Sequence, residues 1–218
     1  MIDRRTLAYI APFAAFIVLL ALQPRLPTPA WVRLLVSLAV ILIFSRGALA
    51  EGRLVRPVSS VLIGVAVFVI WVGPDFLRPG YHDLPIFSNS LLGHAVSSLL
   101  AAQKSSRWPL LFRVLVSVLA VPVLEELFWR GWLMRWIIDR HFWRVPLGAY
   151  QAAAFWIVAV LFASEHGPYW DVGLAAGIIY NWWMVRTRSL WDCILAHAVT
   201  NGLLAAWVIT RGEWQYWL

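Results

Sequence analysis

The chain has a single cysteine, Cys193. That excludes an internal disulfide and any cysteine-rich metal cluster, and its apolar neighbours mark it as a small buried hydrophobe. Charge is also scarce. Charged residues make up 13% of the sequence, roughly half the usual share of a soluble domain. There is no Gly-x-Ser-x-Gly elbow, which removes the commonest serine-hydrolase signature. There is no His-Glu-x-x-His run, which weakens the case for a zinc protease of that type. No internal repeat, low-complexity tract or second domain is visible, so one integral membrane domain over 1–218 is expected, with N-terminal spans in 1–103 and a functional core in 108–205.

What the chain does have is apolar surface. Hydrophobic residues occupy 61% of 218 positions, more than a single soluble core of this size can bury, whereas a bilayer accommodates them. Fifteen tryptophans fit the headgroup level, where the ring is buried and the N–H stays wet. The net charge of +7 does not gather into one stripe. It is spread as Arg4/Arg5, Arg46/Arg53/Arg56, Arg140/Arg144 and Arg186/Arg188 between apolar runs. That pattern argues for membrane lipid as a partner and against nucleic acid.

A membrane-crossing helix needs ~20 mostly apolar residues. The expected spans are Thr6–Leu22, Trp31–Leu49, Pro57–Gly73, Trp108–Ile138, Gly148–Glu165, Val172–Val185 and Leu190–Thr210. The expected fold class is therefore an all-α polytopic bundle of about seven spans with an intramembrane polar cavity. Ser90–Ala102 is an alternative eighth span or an interfacial helix. The N-terminal apolar stretch lacks a convincing small-residue cleavage site before Gln23 and reads as a retained span or anchor. With seven spans, eleven Lys and Arg fall on the N-terminal side and seven on the other, which puts the N-terminus in the cytoplasm.

Ionisable residues inside apolar spans are costly and so mark function. The fourth span holds Glu125 and Glu126, whose side chains point ~100° apart on a helix. Glu126 and Arg130 stand four apart on one face, in the favourable order for an ion pair. Glu126–Arg130 thus reads as structural support and Glu125 as the chemical carboxylate. The fifth span ends Phe162-Ala163-Ser164-Glu165-His166, and the seventh carries His197 and Asn201 stacked on one face. Such a set suits water activation: a carboxylate shielded from bulk solvent accepts a proton from water near neutral pH, and imidazoles and an amide orient water and support an oxyanion. The same atoms of Glu125, His166, His197 and Asn201 suit Zn²⁺. Ser164 has no acid partner, His82 and His141 fall in loops, and His94 is a weak outsider.

These residues carry a resemblance. Glu125-Glu126-x-x-x-Arg130, Phe162-x-x-x-His166 and His197-x-x-x-Asn201 resemble the three motifs of the CAAX prenyl endopeptidase and bacteriocin-processing membrane proteases, over roughly residues 108 to 205. The stretch from Trp191 to Asn201, with Gly212 to Trp217, resembles the bacterial branch associated with exosortase-type sorting systems. The resemblance implies a helical bundle in a bacterial inner membrane and hydrolysis of a membrane-associated peptide or protein. It implies that Glu125 activates water, that His166 assists, and that His197 with Asn201 supports the oxyanion. Glu126, Arg130 and Phe162 would hold the site. Two other classes fit the same residues: a non-catalytic binding or immunity partner, and a transporter that uses Glu and His as a proton relay. Oligomeric state is not legible in the sequence.

Overall fold

The computed structural model describes residues 3–50 and 52–217. It is all-helical, with no strand among the described residues. Helix α1 is Arg4–Leu22, α2 is Ala30–Ala50, α3 is Pro57–Leu77, α4 covers 107–138, α5 is Ala152–Ser164, α6 is Trp170–Thr187 and α7 is Leu190–Arg211. Four of them, α1, α2, α3 and α7, are both long and apolar enough to cross a membrane. Outward-facing Val58, Leu62 and Val69 on α3 and Leu42 and Ile43 on α2 are more than half exposed, as lipid-facing side chains should be.

Local sequence explains where the helices start and stop. Asp3 caps α1 by accepting from the Arg5 N–H, and Pro24, Pro27 and Pro29 prevent its continuation. Pro57 occupies the first turn of α3, where its missing N–H costs nothing. Gly212, at φ 74°, closes α7 in the left-handed conformation that favours glycine. The alternative span or interfacial helix over Ser90–Ala102 does not form. Residues 90–100 are irregular, and only Ala101–Lys104 makes a helical turn, in keeping with the serines and Gly93 of this stretch.

The helices run alternately between two ends of the bundle, and each end is fastened by polar contacts. At the end holding the α1 N-terminus, buried Asp192 of α7 accepts from the Val55 N–H at 2.8 Å, the Arg56 N–H at 2.7 Å and the Ser60 hydroxyl at 2.9 Å. It thereby satisfies donors at the start of α3 that lack intrahelical acceptors. Ser189 donates to the Arg53 carbonyl and Trp191 to that of Leu49. Arg135 is buried here too: it donates to the Gly131 and Val145 carbonyls and lies over the Tyr9 and Phe142 rings. Arg130 and Arg135, which the count of basic residues by side includes among the eleven, therefore belong to the core.

At the opposite end, His82 is fully buried between two carboxylates. Its Nδ1 pairs with Asp75, and its Nε2 lies 3.0 Å from Asp171. Tyr216 donates to Asp75, and Tyr169 packs on the imidazole. Burial alone would lower the His82 pKa, but its bonds to Asp171 and Asp75 outweigh that and raise it to about 9. This clamp joins α3, the following loop, α6 and the C-terminal segment.

Between the ends, α3 and α7 approach closely at Gly64. A Cβ there would lie 2.7 Å from the Val199 Cβ and still closer to the Ala196 carbonyl oxygen. Thr200 donates to the Gly64 carbonyl at 2.9 Å. Two stability predictions follow from this packing and from the His82 clamp. Gly64→Ala should lower the unfolding midpoint in detergent, at a cost of about 1–3 kcal/mol for overpacking. Gly47→Ala, whose added Cβ meets nothing within 4 Å, should not, and equal midpoints for the two variants would refute the packing argument. A histidine with its folded pKa raised to about 9 contributes stability that is complete below its unfolded value of about 6.5 and is lost as pH rises through 9. Wild-type stability should therefore fall more steeply between pH 7 and about 9.5 than that of His82→Gln, as read from paired melting curves.

Candidate active site

The site is built where α4 departs from ordinary helical geometry. Its segments Val116–Ala120 and Leu127–Leu133 are π-helical, a form that recurs at functional sites. In the first π turn the Val121 N–H reaches back five residues to the Val116 carbonyl. The next rung would run from residue 122 to the Ser117 carbonyl, but residue 122 is proline and has no N–H. Asn201 supplies the missing donor: its Nδ2 lies 2.8 Å from the Ser117 oxygen. A side chain on α7 thus repairs the opening in α4 and fixes the two helices against each other.

One turn further on, α4 presents Glu125 and Glu126. Glu126 is completely buried, and its Oε1 accepts from Arg130 Nη1 at 3.1 Å and from His197 Nδ1 at 2.9 Å. Arg130, 1% exposed, spends its other donors on Asn181 Oδ1 at 2.9 Å and the Gly177 carbonyl at 3.4 Å. Asn181 in turn donates to the Phe155 carbonyl at 2.8 Å. The guanidinium lies 4.5 Å from the centroid of the Phe162 ring, a favourable cation–π contact. Phe162 is therefore a wall against the charge pair, and Gly177 allows α6 to approach α5 closely. Removing one partner of a buried pair costs about 3–5 kcal/mol, because the other charge is left uncompensated.

Both imidazoles are held through the same nitrogen. His166 Nδ1 lies 2.7 Å from the Phe162 carbonyl oxygen, which can only accept, so Nδ1 carries the proton. His197 Nδ1 donates to Glu126. In each ring Nε2 remains for chemistry. Trp71 meets the edge of the His166 ring, and Tyr180 stacks on His197 at 5.1 Å. Tyr180 is itself tied to Thr200 at 2.7 Å. Glu125 Oε2 and Glu126 Oε2 are both buried without a hydrogen-bond partner, and Glu126 differs in having its other oxygen committed to Arg130 and His197; an unpartnered buried carboxylate oxygen is unusual and calls for an explanation. Glu125 lies within electrostatic range of Glu126, Arg130 and Glu165, and His166 within range of His197 and Arg130. Glu125 and His166 thus both lie near Arg130, and His166 near His197. Asn201 belongs to the α4–α7 wall through Ser117.

Several residues of this neighbourhood carried no role in the sequence reading. Asn181 is a lone amide in an apolar span, a signal that was present. Glu165 caps α5 and accepts from Trp129 Nε1 at 3.2 Å; it stands next to His166 in the second motif. His82 was set aside as a loop residue, and nothing local betrays it, since Asp171 is 89 positions away. His94 and His141 stay outside the site: His94 meets Ser88, and His141 meets Asp139.

A zinc site would draw on Glu125, His166, His197 and Asn201. Among the described residues, no three His, Cys, Asp or Glu side chains are grouped as a metal-ligand set. His197 has the carboxylate partner that commonly orients a metal-binding imidazole, yet that carboxylate is itself committed to Arg130. The residues do not fit a metal centre as they stand.

No curated protein and no solved structure matches the chain. A family model described as Rce1-like, type II CAAX prenyl endopeptidase Rce1-like, matches residues 107–203. That stretch, a little under half of the chain, contains Glu125, Glu126, Arg130, Phe162, His166, His197 and Asn201, and over it the chain is similar to this family of CAAX-type membrane proteases.

Proposed function

We propose that the protein is an intramembrane endopeptidase that hydrolyses a membrane-associated peptide or protein with water activated directly by Glu125. The observation that carries this reading is the Glu125 carboxylate, whose Oε2 is buried without a partner next to a Glu126 whose Oε1 holds Arg130 and His197; the His166 and His197 Nδ1 atoms are likewise already committed. Glu125 takes a proton from water as the oxygen attacks the scissile carbonyl, and returns it to the departing amine. His166, anchored on a neutral carbonyl, accepts a hydrogen bond from the same water at Nε2. His197, whose Nδ1 donates to the Glu126 carboxylate, is held in one orientation, and with Asn201 it supports the oxyanion side of the tetrahedral intermediate.

Asn201 commits one amide hydrogen to Ser117 and keeps a second for the oxyanion. Glu126, Arg130 and Phe162 act through these groups by fixing their positions. We also place the chain in a bacterial inner membrane with the N-terminus in the cytoplasm. With Arg130 and Arg135 in the core, and Arg33 and Arg113 inside their helices, the excess of basic residues still lies at the N-terminal end.

The test is cleavage of a membrane-anchored peptide library in proteoliposomes, with metal content measured on the same samples. Glu125→Gln keeps the shape but removes the base, so turnover should fall on the order of 10²–10⁴-fold with the unfolding midpoint little changed. Undiminished cleavage by Glu125→Gln would end the proposal. About one metal ion per chain, lost in both His166→Ala and His197→Ala, would replace direct water activation by metal chemistry. Glu126→Gln should lose stability as well as activity, which separates it from Glu125→Gln.

A further inference from the structure

Beside the His82 clamp, a cavity of about 490 Å³ opens among the end of α3, the loop that follows it, the entrance to α6 and the segment after α7. Its volume lies in the range that holds a small organic group, about 300–1,000 Å³. Three carboxylates line it, Asp75, Asp83 and Glu213, together with His82 and Arg211. Asp75 is engaged with His82, and Asp171 meets the same imidazole from its other side. Glu213 accepts from the Gln215 amide, and Arg211 lies over the Trp207 ring at 5.0 Å. Asp83 and Arg211 are open to water, so their charges alone ask for no ligand. Tyr169 is different. It is 2% exposed, and its hydroxyl is buried without a hydrogen-bond partner, although Asp75, Asp83 and Glu213 all lie within its electrostatic range. An unanswered buried hydroxyl is costly. Set among carboxylates and the rings of Phe76, Trp207 and Tyr216, it makes the cavity complementary to a cation that carries N–H groups.

The remaining features select among such cations. A quaternary ammonium would suit the aromatic rings, but it has no N–H for the Tyr169 oxygen, so a primary ammonium is the better match. Arg211 opposes a ligand that is purely cationic and favours one that also carries an anion. Asp75 is third from the end of α3 and Arg211 is the last residue of α7, which is headgroup depth for a bundle that crosses a bilayer. From the cavity an apolar track descends α3. Phe76, Val69 and Leu62, seven residues apart on one helix face, are 65%, 57% and 64% exposed. We infer that this cavity binds the headgroup of one phosphatidylethanolamine, its ammonium among Tyr169, Asp83 and Glu213, its phosphate on Arg211 and one acyl chain along that track. Guanidinium suits the phosphate because its fork matches two oxygens at once. Asp75 keeps its place on His82, so headgroup and clamp adjoin without competing.

The first arm of the test needs no variant. Delipidated wild-type protein in detergent is titrated with phosphatidylethanolamine, its N-methylated forms through phosphatidylcholine, and phosphatidylglycerol, and bound lipid is counted by native mass spectrometry. Phosphatidylethanolamine should bind on the order of tenfold or more tightly than phosphatidylcholine or phosphatidylglycerol, and affinity should fall as N–H groups are removed. Equal affinity across the series would overturn the assignment. Soluble phosphoethanolamine lacks the chains and should compete poorly. Its displacing the lipid at equal concentration, or a lysine-containing peptide doing so, would give the cavity to a soluble or peptide ligand and end the proposal. Tyr169→Phe removes only the hydroxyl and should weaken phosphatidylethanolamine binding by roughly tenfold, as should Asp83→Asn/Glu213→Gln. Undiminished binding by Tyr169→Phe would remove the basis of the inference. Asp139→Asn, an exposed acid at the other end of the bundle, should bind as wild type, and equal loss there would reduce the preference to surface charge. In vesicles, phosphatidylethanolamine with a photoreactive acyl chain should label Leu62, Val69 or Phe76, and labelling confined to α1 and α2 would refute the track.

Discussion

The Glu126 carboxylate is the point on which this bundle depends. It is fully buried in a helix surrounded by apolar neighbours, and it is made tolerable only by two donors from different directions, Arg130 on its own helix and His197 on α7. Arg130 extends the network to α6 through Asn181 and Gly177, and Asn181 carries it to α5. Four helices are thereby committed to one arrangement by a chain of polar contacts, none of which has water as an alternative partner. In hydrophobic surroundings such a network gives orientation more than net stability, because burying the charges offsets much of what their pairing contributes. Orientation is what a hydrolytic site needs.

That network also explains the division of labour between adjacent glutamates. Neighbouring residues on a helix face ~100° apart, so Glu126 Oε1 is committed to Arg130 and His197 while Oε2 of each glutamate is buried without a protein partner. The two imidazoles show a related asymmetry. One is fixed by a backbone carbonyl and the other by a carboxylate, so chemically identical rings stand in different environments. Neither distinction requires a different residue type; each follows from what stands behind the Nδ1 atom or the carboxyl group.

Much of this was legible in the sequence, for identifiable reasons. Helices longer than a dozen apolar residues announce themselves by composition, and the Glu126–Arg130 pair follows from a spacing of four on one helix. The three motifs could be placed in one family because their residue types are rare inside apolar spans. What stayed hidden depends on contacts across the fold. Nothing near His197 says that its partner is Glu126, 71 positions earlier. Asp192 reads as part of a motif-like tail, yet it caps the start of α3. Arg135 was read for its charge alone, because sequence does not show the rings and carbonyls that surround it. His82 was set aside because a loop was equated with exposure, whereas aromatic rings and two carboxylates bury it. The Ser90–Ala102 stretch misled in the opposite direction, since apolar content alone does not overcome its serines and glycine.

The π turn at Val116–Ala120 has one more implication. A π turn is an α-helix that has accepted one extra residue, and here the surplus sits between the entrance of α4 and its two glutamates. Removing that surplus residue would let the turn close to regular pitch while the helix beyond it kept its phase, because the wide turn is what absorbs the extra residue. Glu125 and Glu126 would hold their directions, and what would be lost is the open Ser117 carbonyl that Asn201 now meets. The extra residue thus serves as a latch between α4 and α7.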